Sequence, residues 1–230
     1  CILIIPDMYE AISGQVRIDM LNGIPLMNIN PDIMTEFQSL MKRTFDIVLS
    51  LFAMILLLPL FVVLAIVVNL DSAGGIFYKQ IRLSKNGIRF NLYKLRTMFI
   101  NSEKNTGPIW AEKNDSRVTF AGKVLRKFHL DEIPQLYNVF KGQMSIVGPR
   151  PERPHIVEIL TKEIPYYSHR LKVKPGITGW AQIRGVYDAS MEDVYRKLKH
   201  DFFYIENMSL FLDIKILILT VWTIIKGKGQ

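Results

Sequence analysis

The chain has 230 residues, 49% hydrophobic and 22% charged, with 29 lysines and arginines against 21 acids for a formal net charge of +8. Its single cysteine, Cys1, excludes an internal disulfide framework. The charge is uneven: residues 1–40 carry one basic side chain (Arg17) and five acids, a net of −4, so the remaining 190 residues carry +12.

A basic body joined to an apolar segment suits an anionic bilayer surface or phosphate-rich substrates. The chain does not begin with methionine, which predicts a segment of a longer protein. Within residues 1–40, Ile2–Ile5 and Ile24–Ile29 are short apolar runs bounded by Pro6, Gly23 and Asn30, and they read as strands with a helix between them. Ile2–Ile5 as a buried strand argues against Cys1 as a lipid tether. Two strands cannot bury a core alone, so residues 1–40 are expected to be the tail of an upstream α/β domain and a linker.

Ile47–Val68 is 22 residues without a charge, long enough to cross a hydrocarbon core of roughly 30 Å. Pro59 near its middle removes a backbone hydrogen bond. The flanks are basic on both sides, Lys42 and Arg43 before, Lys79, Arg82 and Lys85 after, so both prefer the cytoplasm. A helix–break–helix over residues 41–71 that enters and returns on one face meets these observations. A spanning helix kinked at proline meets the length alone, and the residues leave the two open.

Residues 72–230 form the polar body. Gly75–Lys79 and Phe90–Leu95 read as strands flanking a turn at Asn86-Gly87. Ile133, Leu136, Tyr137 and Phe140 have the spacing of one helix face, predicting an amphipathic helix over Glu132–Lys141 that Gly142 stops. Leu210–Ile225, interrupted by Asp213 and Lys215, reads as an interfacial or core-packed helix.

Asp131-Glu132 at the start of that predicted helix are the first chemical candidates. An ionised aspartate can bind Mg²⁺ or attack phosphorus, although an acidic helix N-terminus is also an ordinary capping arrangement. Cations surround the pair in sequence: Arg126 and Lys127 upstream, Lys94 and Arg96 earlier, and Arg150 within Gly148-Pro149-Arg150-Pro151 downstream. Arginine holds phosphate with a planar fork, and flanking prolines fix the backbone that carries it. Trp180, in Pro175-Gly176-Ile177-Thr178-Gly179-Trp180-Ala181-Gln182, is a stacking platform for a base or a core residue. Asp201 is a further metal or hydrogen-bonding carboxylate. The four histidines lack metal-ligand spacing, and no phosphate loop or dinucleotide fingerprint occurs. Any metal is expected to be Mg²⁺ on oxygen ligands, Asp131 and Glu132 first.

Seven stretches in order resemble the monotopic phosphoglycosyl transferases, the bacterial sugar transferases that begin lipid-linked glycan assembly. They are Lys42-Arg43-Thr44-Phe45-Asp46, Phe77-Tyr78-Lys79-Gln80, Lys94-Leu95-Arg96-Thr97-Met98, Asn114-Asp115-Ser116-Arg117-Val118-Thr119, Leu130-Asp131-Glu132-Ile133-Pro134-Gln135-Leu136, Met144-Ser145-Ile146-Val147-Gly148-Pro149-Arg150-Pro151, and the Pro175–Gln182 stretch. The resemblance implies an α+β protein with a re-entrant membrane helix, a small mixed α/β catalytic domain and interfacial amphipathic helices, at the cytoplasmic face of the bacterial inner membrane. It implies a Mg²⁺-dependent reaction between a UDP-sugar and polyprenyl phosphate. Asp131 would be the nucleophile, Glu132 its assistant, and Arg126 and Arg150 phosphate holders, with Lys94 and Asp201 at other functional positions. Two residues depart from the family pattern: Leu58 precedes Pro59 where serine is frequent, and Gly74-Gly75 replaces Gly-Pro.

A basic membrane-surface scaffold without turnover is the competing class, and Asp131 chemistry separates the two. Nucleic-acid binding is set aside because the uncharged apolar run suits a bilayer. The identity of the sugar and the oligomeric state, a homodimer included, are left open by the residues.

Overall fold

The structure is a computed structural model that describes residues 18–21, 24–27, 33–100, 117–185 and 190–225. The Ile2–Ile5 run, Cys1 and the Asn114-Asp115-Ser116 part of the fourth motif lie outside the described residues. Near the N-terminus, β1 (Ile18–Leu21) pairs antiparallel with β2 (Ile24–Met27), Leu21 opposite Ile24. The second strand was expected, but β1 stands where a helix was. In sequence Asn22-Gly23 lies between them, the dipeptide favoured in two-residue hairpins.

Helix α1 (Glu36–Asp71) is the longest element. A capping box opens it: Gln38 N donates to Thr35 Oγ1 at 3.3 Å, and Thr35 N donates to Gln38 Oε1 at 3.1 Å. Two arms separated by a break were expected, yet the chain is helical through Pro59. By length and composition α1 is apolar enough to cross a membrane. Ser50, Ala53, Met54, Leu57, Phe61, Leu64 and Val68 form an inward stripe at helical spacing. Val48, Phe52, Ile55, Leu56, Val63 and Ile66 are exposed, so the outward surface is apolar as well.

Each end of α1 is fastened to the same body. At the start, Lys42 Nζ donates to Val147 O (3.2 Å) and pairs with Asp213, Arg43 donates to the Val139 and Phe140 carbonyls (2.8 and 2.7 Å), and Asp46 Oδ1 accepts from Ser145 Oγ and Ile146 N, both at 3.0 Å. At the far end, Arg96 donates to Val68 O, Ser72 O and Ala73 O (3.3, 2.6 and 2.8 Å). A helix leaves its last carbonyls without partners, and the guanidinium supplies the donors.

The body begins with a hairpin of β3 (Phe77–Leu83) and β4 (Arg89–Leu95), in register from Phe77↔Leu95 to Leu83↔Arg89. Its turn holds Asn86 and Gly87 at positive φ (59° and 73°), as Asn-Gly predicts. Helix α2 (Phe120–Lys127) is capped by Thr119 and lies against Thr97: a Cβ on Gly122 would fall 2.2 Å from Thr97 O. A 3₁₀ turn (Leu130–Glu132) leads into α3 (Gln135–Phe140), and Gly142 at φ 83° follows. The predicted single helix over Glu132–Lys141 is therefore shorter, and its buried face is Gln135, Leu136, Asn138 and Val139 rather than one including Tyr137 and Phe140, which are exposed. Asn138 supplies the reason. Its side chain, fully buried, accepts from Tyr93 N (3.1 Å) and donates to Asn91 O (2.8 Å), turning the helix toward β4.

Strands β5 (Ser145–Val147) and β6 (Gly176–Thr178) pair in parallel, Ser145 with Gly176 and Val147 with Thr178. Around them pack α4 (Pro154–Glu163), a 3₁₀ turn (Tyr167–Lys172), α5 (Trp180–Ile183), α6 (Met191–Glu206) and α7 (Leu210–Ile225). Val139, Met144, Ile164, Leu198, Tyr204 and Ile216 form the centre of the core. Helix α7 turns Leu212, Asp213 and Ile216 inward and leaves Phe211, Ile218 and Trp222 exposed.

Candidate active site

The site gathers where β4, the Leu130–Glu132 turn and the segment after β5 converge. Lys94 Nζ lies 2.7 Å from Glu132 Oε1 and 3.6 Å from Asp131 Oδ2. Arg150 Nη2 reaches the same Glu132 oxygen at 3.1 Å. Both carboxylates are buried, Asp131 at 6% and Glu132 at 8% exposure. Four of the eight residues expected from sequence are thus joined directly: Asp131, Glu132, Lys94 and Arg150. Arg126, in the last turn of α2, donates to Thr97 Oγ1 at 2.9 Å, and its charge also acts on Asp131.

The two carboxylates respond to this setting in opposite ways. Burial pushes the Asp131 carboxyl up, and the neighbouring Glu132 adds to that, while Lys94 and Arg126 pull the other way without overcoming it. Burial acts on Glu132 too, but Lys94 and then Arg150 outweigh it and hold Glu132 well below the usual carboxylate range. Glu132 in turn raises the half-buried Arg150 guanidinium. From sequence, the two carboxylates are expected at the start of a helix over Glu132–Lys141. The carboxylates instead occupy a 3₁₀ turn ahead of a six-residue helix; burial governs Asp131 and side-chain cations govern Glu132.

Sequence order hid the contacts of three other candidates. Arg96 is buried against the carbonyls that end α1 and closes that helix. Trp180 is a core residue: Phe203 packs 5.4 Å from its ring, and Arg184 lies over it at 4.6 Å. Its large apolar area accounts for the placement. Asp201 is 2% exposed and lies 2.8 Å from Arg170 Nε, since a buried carboxylate requires a cation. Sequence reasoning missed Arg170, Glu152 and Asn138. Asn138 alone had a usable signal, a polar residue inside an otherwise apolar helical pattern.

Among the described residues, no three metal-ligating side chains come together. Mg²⁺ requires fewer, because it binds through one or two carboxylates while water and substrate phosphates complete its shell. Both cations on Glu132 meet Oε1, and Glu132 and Asp131 are the two carboxylates that would hold the ion. The donor set fits the ion.

Two acids whose proton affinities are shifted in opposite directions are clasped by lysine and arginine on a body fastened to one long apolar helix, an arrangement suited to binding phosphate beside an apolar anchor. Comparison with known proteins agrees. The bacterial sugar transferase family model matches residues 37–227, and the chain belongs to that family. It is 41% identical over 225 residues (98% of the chain, 52% of the relative) to a UDP-N-acetylgalactosamine-undecaprenyl-phosphate N-acetylgalactosaminephosphotransferase of Aeromonas hydrophila. It is 39% identical over 224 residues (96% of the chain, 48% of the relative) to a UDP-glucose:undecaprenyl-phosphate glucose-1-phosphate transferase of Klebsiella pneumoniae. The chain spans about half the length of these curated relatives.

Proposed function

We propose that this chain transfers a sugar 1-phosphate from a UDP-sugar to undecaprenyl phosphate through a covalent intermediate on Asp131. The named activities of the relatives support the substrate classes. The observation that carries the reading is Lys94, within 3.6 Å of Asp131 and 2.7 Å of Glu132, with Arg150 on the other side of Glu132.

In the first step a carboxylate oxygen of Asp131 attacks the sugar-bearing phosphorus. The bond from that phosphorus to the bridging oxygen breaks, and UMP leaves with the electron pair. In the second step an oxygen of undecaprenyl phosphate attacks the same phosphorus, releasing the Asp131 carboxylate and forming a diphosphate-linked sugar. Such transfer depends on charge neutralisation and in-line placement. Lys94 restrains Asp131 and offsets charge on the attacked group, while Arg150 and Arg126 hold phosphate oxygens. Glu132, kept ionised, fixes the positions of Lys94 and Arg150. Bound Mg²⁺ on Asp131 and Glu132 would neutralise the diphosphate of the donor.

This reading places the reaction at the cytoplasmic face of the bacterial inner membrane, as the first step of exopolysaccharide, capsule or O-antigen assembly. Both ends of α1 are tied to one body, and a body occupies one side of a bilayer. That supports a re-entrant α1, bent at Pro59, over a spanning one. The exposed apolar face of α7 supports an interfacial seat for that helix.

The test is direct. Incubation with UDP-sugars and no acceptor should add one hexose-phosphate (or N-acetylhexosamine-phosphate) mass to the intact protein and release UMP. Asp131→Asn should show neither. A wild-type protein that binds donor with no adduct and no UMP would leave a scaffold in place of an enzyme.

A further inference from the structure

Arg150 reaches Glu132 from a segment with little regular structure, yet its backbone is held at four consecutive carbonyls. Pro149 O accepts from Gly176 N (2.9 Å), Arg150 O from Arg170 Nη2 (3.1 Å), Pro151 O from Arg82 Nη1 (2.9 Å) and Glu152 O from Leu83 N (3.2 Å). Two of these donors are side chains from distant elements. The loop's backbone acceptors are thus satisfied by a wall built for them.

Behind the loop that wall is a buried ion network. Arg170, whose side chain is 5% exposed, lies 2.8 Å from Asp201 Oδ2, donates to Tyr167 Oη at 2.6 Å and stands 3.9 Å from Glu152 Oε1. Glu152 also takes Lys197 at 2.6 Å and Arg82 at 3.6 Å. Asp201 and Lys197 come from α6, Arg82 from β3, and Arg170 from the turn before β6. Burying charge costs free energy that packing alone would avoid. Here that cost is concentrated behind one loop.

We infer that Arg170, oriented by Asp201, is a positioning residue that sets Arg150 against Glu132 and the donor phosphate. Asp201 then acts through two arginines rather than on substrate. The geometry requires a guanidinium at position 170: its planar fork serves Asp201, Tyr167 and the Arg150 carbonyl together, which a single ammonium cannot. The inference rests on the proposed role of Arg150 in holding phosphate.

A double-mutant cycle on the full chain in its membrane tests it, reading UMP release with a saturating lipid acceptor. Arg170→Met should lower kcat/KM for the UDP-sugar about 10- to 100-fold, the scale of a misplaced binding group. In an Arg150→Lys background the same change should cost less than about 3-fold, because coupled residues are non-additive. Asp201→Asn should follow the same pattern, and Arg170→Lys should not restore activity. An equal cost in both backgrounds, or no cost in the first, overturns the inference. If Arg170→Met does not fold, Arg170→Lys and Asp201→Asn complete the cycle. Should Arg150→Lys alone leave UMP release unchanged, the role given to Arg150 falls first, and that result is distinguishable from additivity.

Discussion

Lys42 Nζ and Asp213 Oδ2 lie 2.5 Å apart although 171 residues separate them in the chain. Asp213 is 1% exposed, and its other oxygen accepts from Tyr204 Oη at 2.8 Å, a hydroxyl that also donates to Val147 O. The pair joins the start of α1 to α7 across β5. Asp213→Ala should cost about 3–5 kcal/mol, since removing one partner strands a buried charge. Denaturant titration in detergent measures it. A replacement of both residues by apolar ones of similar volume should recover most of that loss.

Lys94 meets both site carboxylates. Lys94→Met should slow UMP release about 100-fold, the scale of losing one preorganised charge-stabilising group. The cooperative unfolding transition should persist. Activity within a few-fold of wild type would remove Lys94 from the chemistry.

Asp131→Asn and Glu132→Gln should change stability with opposite signs. Burial raises Asp131 from an ordinary 3.8, so the folded chain holds that proton more tightly than the unfolded one. Stability from this group is fullest below 3.8 and is lost as pH climbs through the raised value. In metal-free buffer Asp131→Asn should therefore be more stable than wild type at neutral pH, with the gap closing in acid. Glu132 is depressed from an ordinary 4.5, because Lys94 and Arg150 outweigh its burial. Its contribution is present above 4.5 and lost as pH falls, so Glu132→Gln should be the less stable protein at neutral pH. Denaturation midpoints across pH, compared among the three proteins, check both signs.

Arg96→Met should lower stability by about 1.5–3 kcal/mol, the range for hydrogen bonds to a charged group, because it uncaps the end of α1. The KM for donor in the surviving enzyme should be unchanged. A raised KM with intact stability would return Arg96 to the substrate.

The topology is open to labelling. In a Cys1→Ser background, single cysteines placed before Lys42 and after Asp71 should both react with an impermeant reagent from the cytoplasmic side. Labelling from opposite sides would make α1 a spanning helix.

The acids and two of the cations of the site were legible because their residue types carry the chemistry and their order matches the family. The hairpin at Asn86-Gly87 was legible because its turn chemistry is local. Arg96 and Asp201 kept their residue types in view but not their partners. Arg96 meets backbone 23 to 28 residues away, and Asp201 pairs with Arg170 from another element. No short spacing encodes such contacts. The buried face of α3 was misread for a related reason: Asn138 turns inward to satisfy β4 backbone, and apolar periodicity does not count a polar side chain as core.

With α1 seated in a bilayer, its two fastenings leave Asp131 at a constant height above the lipid. Lys42 locks one end and Arg96 the other, so among the described residues the body is held to α1 at two points rather than one. On the proposed reaction, the long-chain acceptor would arrive by lateral diffusion with its phosphate already at that level, and turnover should respond to bilayer thickness.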